Sequence, residues 1–334
     1  MEVRRLRGAS FGAPRGSLTV AWIVLAAFVL AGCLVPPGNH LPDASTERAP
    51  DLVAVSYGPR SDQLLDIYLP ATGNRPFPVL VYLHSGGWSS GSRSIIPDPI
   101  LAVADHDAAA LVSVDYRLVS TRRDGALTNT FPTQHEDTDR AIRFIRAHAA
   151  TWNLDPDMIV VAGASAGGQL ALMAGAAPGA FTDPTLPADE RIVSPQVQGV
   201  LDMVGPSDFS TWGAAASWAP GILTTYLDCP TTDPTSCDPA IEHQASIAAY
   251  LAPGVPPAYL AYGAQDTLVP PSTQGLPLAK QWAAARGEST LEPTYARGTW
   301  YEVAPDAGHN FDLDNSSTAT MALWLDLVFT HALR

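Results

Sequence analysis

From residue 51 onward, short hydrophobic runs alternate with polar breaks rich in Gly, Pro and Asp. "LVAVSYG" (52–58) and "QLLDIYLP" (63–70) are brief runs joined by the turn-like "PRSD", and they predict two strands. "PVLVYLH" (78–84) and "AAALVSVDYRL" (108–118) are continuously apolar, as strands buried on both faces must be. "MIVVAG" (158–163), "VQGVLDMVG" (197–205), "PAYLAYG" (257–263) and "TWYEVA" (299–304) bring the predicted strands to eight. Between them the period changes. "DTDRAIRFIRAHAATW" (137–152) gathers Ala141, Ile142, Ile145 and Ala149 on one face and arginines on others, which is helical spacing. Further helices are predicted over 166–175, 276–286 and 318–333. Strands alternating with helices argue for an α/β architecture, a mostly parallel sheet covered on both faces. Residues 206–249 break the rhythm after the sixth strand and read as an insertion at the sheet's edge, carrying Trp212, Trp218 and Tyr226.

The first 50 residues follow other rules. Arg4, Arg5, Arg7 and Arg15 precede an apolar run from about 18 to 30, which is short for a membrane span and has the layout of a secretory signal. It ends in "LAGC", Leu30 to Cys33, which resembles the bacterial lipoprotein signal. That resemblance implies removal of residues 1–32, lipid on Cys33 and an exported, membrane-anchored protein; an ordinary secretory signal or an uncleaved anchor is the other reading. Residues 33–50 are polar and Pro-rich and read as a tether to a domain spanning 51–334.

Composition narrows the partners. The formal charge is −14, and it becomes −17 once residues 1–32 are removed. Lys280 is the single lysine. Such a chain is a poor match for nucleic acid or an anionic lipid surface, so lipid rather than charge would hold it to a membrane. Cys229 and Cys237 form one close pair in an exported chain, which suggests a disulfide; a metal site is the weaker reading, with His243 the one further ligand nearby.

Gly163-Ala164-Ser165-Ala166-Gly167 follows a predicted strand and precedes a predicted helix. Small residues around a lone serine suit a tight strand-to-helix turn that projects the hydroxyl. The helix N-terminus behind it would favour a developing negative charge. A serine hydroxyl needs a base to take its proton and a carboxylate to orient that base. Three histidines follow Ser165: His243 in the insertion, His331 in the last helix and His309 in "EVAPDAGHNF" after the last strand. His309 is the candidate base. Asp266, in "AYGAQDTLVP" directly after a strand, is the candidate acid, with Asp202 and Asp306 as weaker alternatives.

These features together resemble the α/β-hydrolase family, in its esterase and lipase branch related to hormone-sensitive lipase and to acetyl and feruloyl esterases. Four motifs carry the resemblance: "HSGGW" (84–88), "DYRL" (115–118), "GASAGG" (163–168), and an Asp followed by a His near the C-terminus. The resemblance implies an oxyanion hole from the backbone N–H groups of Gly86, Gly87 and Ala166. Here Ser85 stands where the family's loop usually has its first glycine, which puts the loop's geometry in question. His84 and the "DYRL" residues are expected to brace loops rather than react. Trp212, Trp218 and Tyr226 are expected either to pack or to line an acyl pocket.

The expected function is a serine carboxylic-ester hydrolase for short-acyl esters, with no metal or organic cofactor and a small ester as its partner. The alternatives are an amidase such as an arylformamidase, an exopeptidase, or a catalytically silent binding module on the same fold. With His309 as base, the rate should fall below about pH 6.5, where a free histidine protonates.

Overall fold

The computed structural model describes residues 48–215, 220–289, 291, 297–310 and 315–333. The expected signal, Cys33, the tether up to residue 47 and Trp218 lie outside the described residues.

Among the described residues, eight strands form one sheet: β1 (Leu52–Ser56), β2 (Leu64–Tyr68), β3 (Phe77–Leu83), β4 (Ala110–Val114), β5 (Leu154–Ala164), β6 (Gly199–Met203), β7 (Ala258–Gly263) and β8 (Thr299–Ala304). Their order across the sheet is β1-β2-β4-β3-β5-β6-β7-β8. β2 runs antiparallel to β1 and β4, and every other pairing is parallel. The eight expected strands are all present, in a mostly parallel sheet. A two-stranded hairpin, Ser120–Thr121 with Leu127–Thr128, stands apart from it.

The continuous apolar runs have the predicted cause. On β3, Val79, Val81 and Leu83 join the core on one face, while Leu80 and Tyr82 join the core on the other. Helices cover both faces. Ile142 and Ile145 of α2 (Thr133–His148), Leu170 of α3 (Ala166–Ala176) and Trp282 of α7 (Leu276–Ala285) pack on the first face. Ile100 and Val103 of α1 (Asp98–His106) and Trp324 and Leu325 of α8 (Asn315–Phe329) pack on the second. A strand with both faces under helices must be apolar at successive positions, because neither face meets water.

The insertion differs from its expected place. β6, from which it departs, lies between β5 and β7, so the segment leaves the interior of the sheet rather than its edge. It carries three short helices, α4 (Phe209–Ala215), α5 (Pro220–Tyr226) and α6 (Pro239–Ala245). They meet the loops after the parallel strands and the start of α3: Trp212 bonds the Leu268 carbonyl, Ile222 lines the same cavity as Ser165, and Gln169 of α3 donates to the Ala245 carbonyl. The segment is fastened at both ends. Ser207 N–H donates to Gln274 Oε1 at 2.8 Å, and Ile247 N–H donates to the Ser207 carbonyl at 2.8 Å. The disulfide between Cys229 and Cys237 is present, with Cα atoms 4.6 Å apart.

Candidate active site

Ser165 occupies the turn between β5 and α3 with φ 54° and ψ −116°, a conformation that a residue with a Cβ adopts rarely. Ser165 N–H donates to the Met203 carbonyl at 2.8 Å, tying the turn to the end of β6. The neighbouring glycines are there because backbone comes too close for a side chain. A methyl group at Gly163 would lie 2.1 Å from the Gly167 carbonyl oxygen, and one at Gly167 would lie 2.0 Å from the Leu83 carbonyl oxygen. The helix therefore starts against the end of β3, where the "HSGGW" loop begins.

His309 Nε2 lies 2.9 Å from Ser165 Oγ, and His309 Nδ1 lies 2.8 Å from Asp266 Oδ2. The other carboxylate oxygen, Oδ1, accepts the backbone N–H groups of Leu268 and Val269 at 2.8 and 2.9 Å. Asp266 is thus 4% exposed and fully engaged, with one oxygen held by backbone and the other aimed at the imidazole. The loops carrying acid and base are stitched together: Gln265 N–H donates to the Ala307 carbonyl at 2.9 Å, and Ala264 N–H to the Ala304 carbonyl at 2.9 Å. Hydrogen bonding at Nδ1 to a carboxylate fixes the tautomer that leaves Nε2 free to accept the serine proton.

The alternative candidates lie elsewhere. Asp306 is exposed, as are His243 and His331. Asp202 is buried and bonded to Tyr262 and Gly205 instead of to His309.

Gly86 and Gly87 line a cavity of about 550 Å³ together with Ser85, Ser165 and His309. Gly86 has φ 120°, where a side chain is strained, and a Cβ there would also fall 2.2 Å from the Ser90 carbonyl oxygen. Ala166 is the first residue of α3, so its N–H has no intrahelical acceptor. Ser85 contributes to the cavity wall beside the two glycines. His84 is a brace. Its ring stacks on Tyr116 with centroids 4.2 Å apart, its Nδ1 meets the Ser85 carbonyl at 2.7 Å, and Tyr116 OH donates to the His84 carbonyl at 2.7 Å. Burial lowers the His84 pKa, which keeps the ring neutral. Asp115 accepts the Arg93 N–H at 2.6 Å, and Arg117 pairs with the buried Asp137 at 2.7 Å, so the "DYRL" residues organise loops as expected.

The insertion contributes part of the cavity wall. Trp212 both packs and lines: it is buried, donates Nε1–H to the Leu268 carbonyl at 2.6 Å, and forms part of the cavity wall beside Ile222. Tyr226 is packing alone, stacked on Trp88 at 3.9 Å and 10°, with its hydroxyl 2.9 Å from His135 Nε2. Neither Trp88 nor His135 is a candidate on sequence alone. The tryptophan in "HSGGW" is the available signal for the first; a histidine inside an amphipathic helix gives none for the second.

The chain matches the BD-FAE family over residues 65–281, well over half its length. The chain belongs to the BD-FAE family. This is a hormone-sensitive-lipase-like esterase family. Among curated relatives, it is 26% identical over 271 residues to the probable carboxylic ester hydrolase LipM of Mycobacterium tuberculosis, covering 79% of this chain and 57% of that protein. It is 34% identical over 137 residues to carboxylesterase NlhH of the same organism, covering 41% and 40%. This BD-FAE chain therefore spans well under two thirds of the length of those relatives. Among solved structures, a truncated carbohydrate esterase from gut microbiota superimposes with a TM-score of 0.64 at 20% identity, covering 86% of this chain and 98% of that one. A thermophilic esterase of Thermogutta terrifontis gives 0.58 at 23% identity, covering 85% and 90%. The fold is that of the α/β-hydrolases.

Proposed function

We propose that this BD-FAE member is a serine carboxylic-ester hydrolase for small, short-acyl esters, with Ser165 as nucleophile, His309 as general base and acid, and Asp266 as the orienting carboxylate. The observation that carries the reading is the unbroken hydrogen-bond chain Ser165–His309–Asp266 opening into a cavity that Gly86 and Gly87 also line. Ser165 Oγ attacks the ester carbonyl carbon while His309 Nε2 takes its proton. The carbonyl oxygen becomes an oxyanion, received by the N–H groups of Gly86, Gly87 and Ala166. As the intermediate collapses, His309 returns the proton to the departing alcohol, leaving acyl-Ser165. Water then attacks the acyl carbon, His309 again takes the proton, and collapse releases the acid and restores the serine. Asp266 holds Nδ1–H and balances the imidazolium charge at each stage. A cavity of about 550 Å³ suits an entire small ester, acyl and alcohol portions together.

The test is release of p-nitrophenol from acetyl, butyryl, octanoyl and palmitoyl esters by the wild type beside Ser165→Ala. Turnover of the shorter esters that vanishes in the mutant is the expected result. A mutant with wild-type turnover removes Ser165 from the mechanism, and folded wild type with no turnover of any ester shifts the reading to an amidase or a binding module.

We further infer that the chain is exported and held at a bacterial membrane by lipid on Cys33, on the strength of "LAGC" placed directly after the apolar run. Incorporation of a labelled fatty acid into wild type and its loss in Cys33→Ser are expected; equal labelling of both refutes the anchor.

A further inference from the structure

Asp202 is a carboxyl group that this mechanism leaves unused. It lies on β6, in register with Gly163 of β5, and has no exposed surface. Its side chain sits under the first turn of α3, since a methyl group at Gly168 would fall 2.3 Å from its Oδ1. The Gly205 N–H donates to Oδ1 at 3.0 Å. The hydroxyl oxygen of Tyr262, on β7, lies 2.9 Å from Asp202 Oδ2 and 2.8 Å from the Gly205 carbonyl oxygen.

A phenol has one proton to donate. Given to Asp202, it leaves the Gly205 carbonyl facing the phenol's lone pairs at contact distance. Given to Gly205, it leaves the phenol oxygen as an acceptor, and the proton it accepts must come from Asp202. The second arrangement closes a ring in which Asp202 donates to Tyr262, Tyr262 to the Gly205 carbonyl, and Gly205 N–H to Asp202. It requires a neutral acid. Burial acts in the same direction, raising the Asp202 pKa to about 7 against the opposing bonds from Tyr262 and Gly205. Among the described residues, no cation acts on Asp202 to reverse this. β7 contributes Tyr262, behind which stand Tyr301 and Asp266, while β5 and α3 present Gly163, Gly168 and Gln169.

We propose that Asp202 works as a neutral carboxylic acid, a positioning residue that fixes Gly205 against the first turn of the nucleophile helix, and that its ionisation slows ester hydrolysis. The proposal rests on the serine-esterase reading. Gly205 lies between Val204 and Pro206, both of which line the cavity, so the ring sets part of the wall as well as the helix. Losing the proton breaks the ring. It also places a negative charge beneath the N-terminus of α3, where it opposes the partial positive charge that would receive the oxyanion. The rate should therefore decline on the alkaline side for a reason separate from protonation of His309 on the acid side.

The test pairs Asp202→Asn with wild type. An asparagine amide can donate to Tyr262 and accept from Gly205 as the neutral acid does, but it cannot ionise. Profiles of kcat/KM for p-nitrophenyl butyrate across roughly pH 5 to 10 should show an alkaline decline of about three- to tenfold in wild type that is missing in Asp202→Asn. Asp202→Leu, which can make neither bond, should lose rate at every pH. Infrared difference spectra of wild type against Asp202→Asn at mildly acidic pH should show the carbonyl band of a protonated carboxyl, with no substrate present. Persistence of the alkaline decline in Asp202→Asn, or absence of that band, overturns the proposal. Failure of wild type to hydrolyse any ester overturns the esterase reading instead, while the infrared band still decides the state of Asp202.

Discussion

Replacing Gly167 by alanine tests whether the close approach of α3 to β3 sets the reaction geometry. A Cβ at 167 would stand 2.0 Å from the Leu83 carbonyl oxygen and 2.6 Å from that of His84. Real contacts of this kind begin near 3.0 Å, so helix or strand must yield by about 1 Å. Neither neighbour is a flexible side chain. Leu83 ends β3 and His84 opens the loop bearing Gly86 and Gly87, so the displacement falls between Ser165 and the N–H groups proposed to receive the oxyanion. A misplacement of about 1 Å commonly costs about 100-fold in rate. Overpacking should also lower stability by about 1–3 kcal/mol. The assay is kcat and KM for p-nitrophenyl butyrate with Tm by calorimetry, beside Gly221→Ala, where an added Cβ meets nothing within 4 Å among the described residues. The expected outcome is kcat down about 100-fold with KM little changed in Gly167→Ala, and near wild-type behaviour in Gly221→Ala. A Gly167→Ala enzyme within about threefold of wild type and with unchanged Tm would refute the argument, because the distances would then carry no constraint.

Three other outcomes are expected. Asp266→Asn should lower kcat by about 10³–10⁴-fold through the wrong imidazole tautomer, whereas Asp306→Asn, exposed and outside the hydrogen-bond chain, should leave it nearly unchanged; equal losses would exchange their roles. Cys229→Ser opens a loop of sequence separation 8 and should cost about 2–3 kcal/mol, or roughly 5–10 °C in Tm, with no loss if the insertion is already fixed by its packing. His135 is buried and its pKa is pulled down to about 3, so the fold holds it neutral while an unfolded chain protonates it. Stability from this group is present above the unfolded value near 6.5 and is lost as pH falls through that window at up to about 1.4 kcal/mol per pH unit. His135→Gln should flatten the dependence of the urea midpoint on pH between about 6 and 4, and parallel curves for the two proteins would contradict it.

The inner strands β3 to β7 were legible because burial on both faces forces a nearly continuous apolar run, whereas the more exposed β1 and β8 were marked by the turn residues around short apolar runs. Strand order was not legible. Hydrophobic patterning records how a strand is buried and nothing of which neighbours it pairs with, and for that reason the insertion after β6 was expected at an edge when it crowns the sheet's middle. α1 is silent in the sequence for a related reason: nine residues that begin inside "IIPDP" offer too few turns for a helical period to show. Ser165, Asp266 and His309 were readable because each stands in a loop directly after a strand, where topology brings distant segments together. Their mutual distances came from the fold alone. Trp88 and Tyr226 illustrate the limit. They lie 138 positions apart in the chain, and nothing local to either announces that the two rings stack.

That stack has a bearing on how enzymes of this kind diversify. Trp88 belongs to the loop that carries Gly86 and Gly87, Tyr226 belongs to the insertion, and Phe209 and Trp212 close on the same indole from a second helix. The part that would choose a substrate and the part that would stabilise its charge are therefore inherited as one block of aromatic carpentry. A roof segment borrowed from a relative would need to bring its own partner for the ring at position 88, and a recombination breakpoint near Pro206 parts that ring from Phe209, Trp212 and Tyr226, so chimaeras that keep both sides of the joint from one parent would be favoured over those broken there.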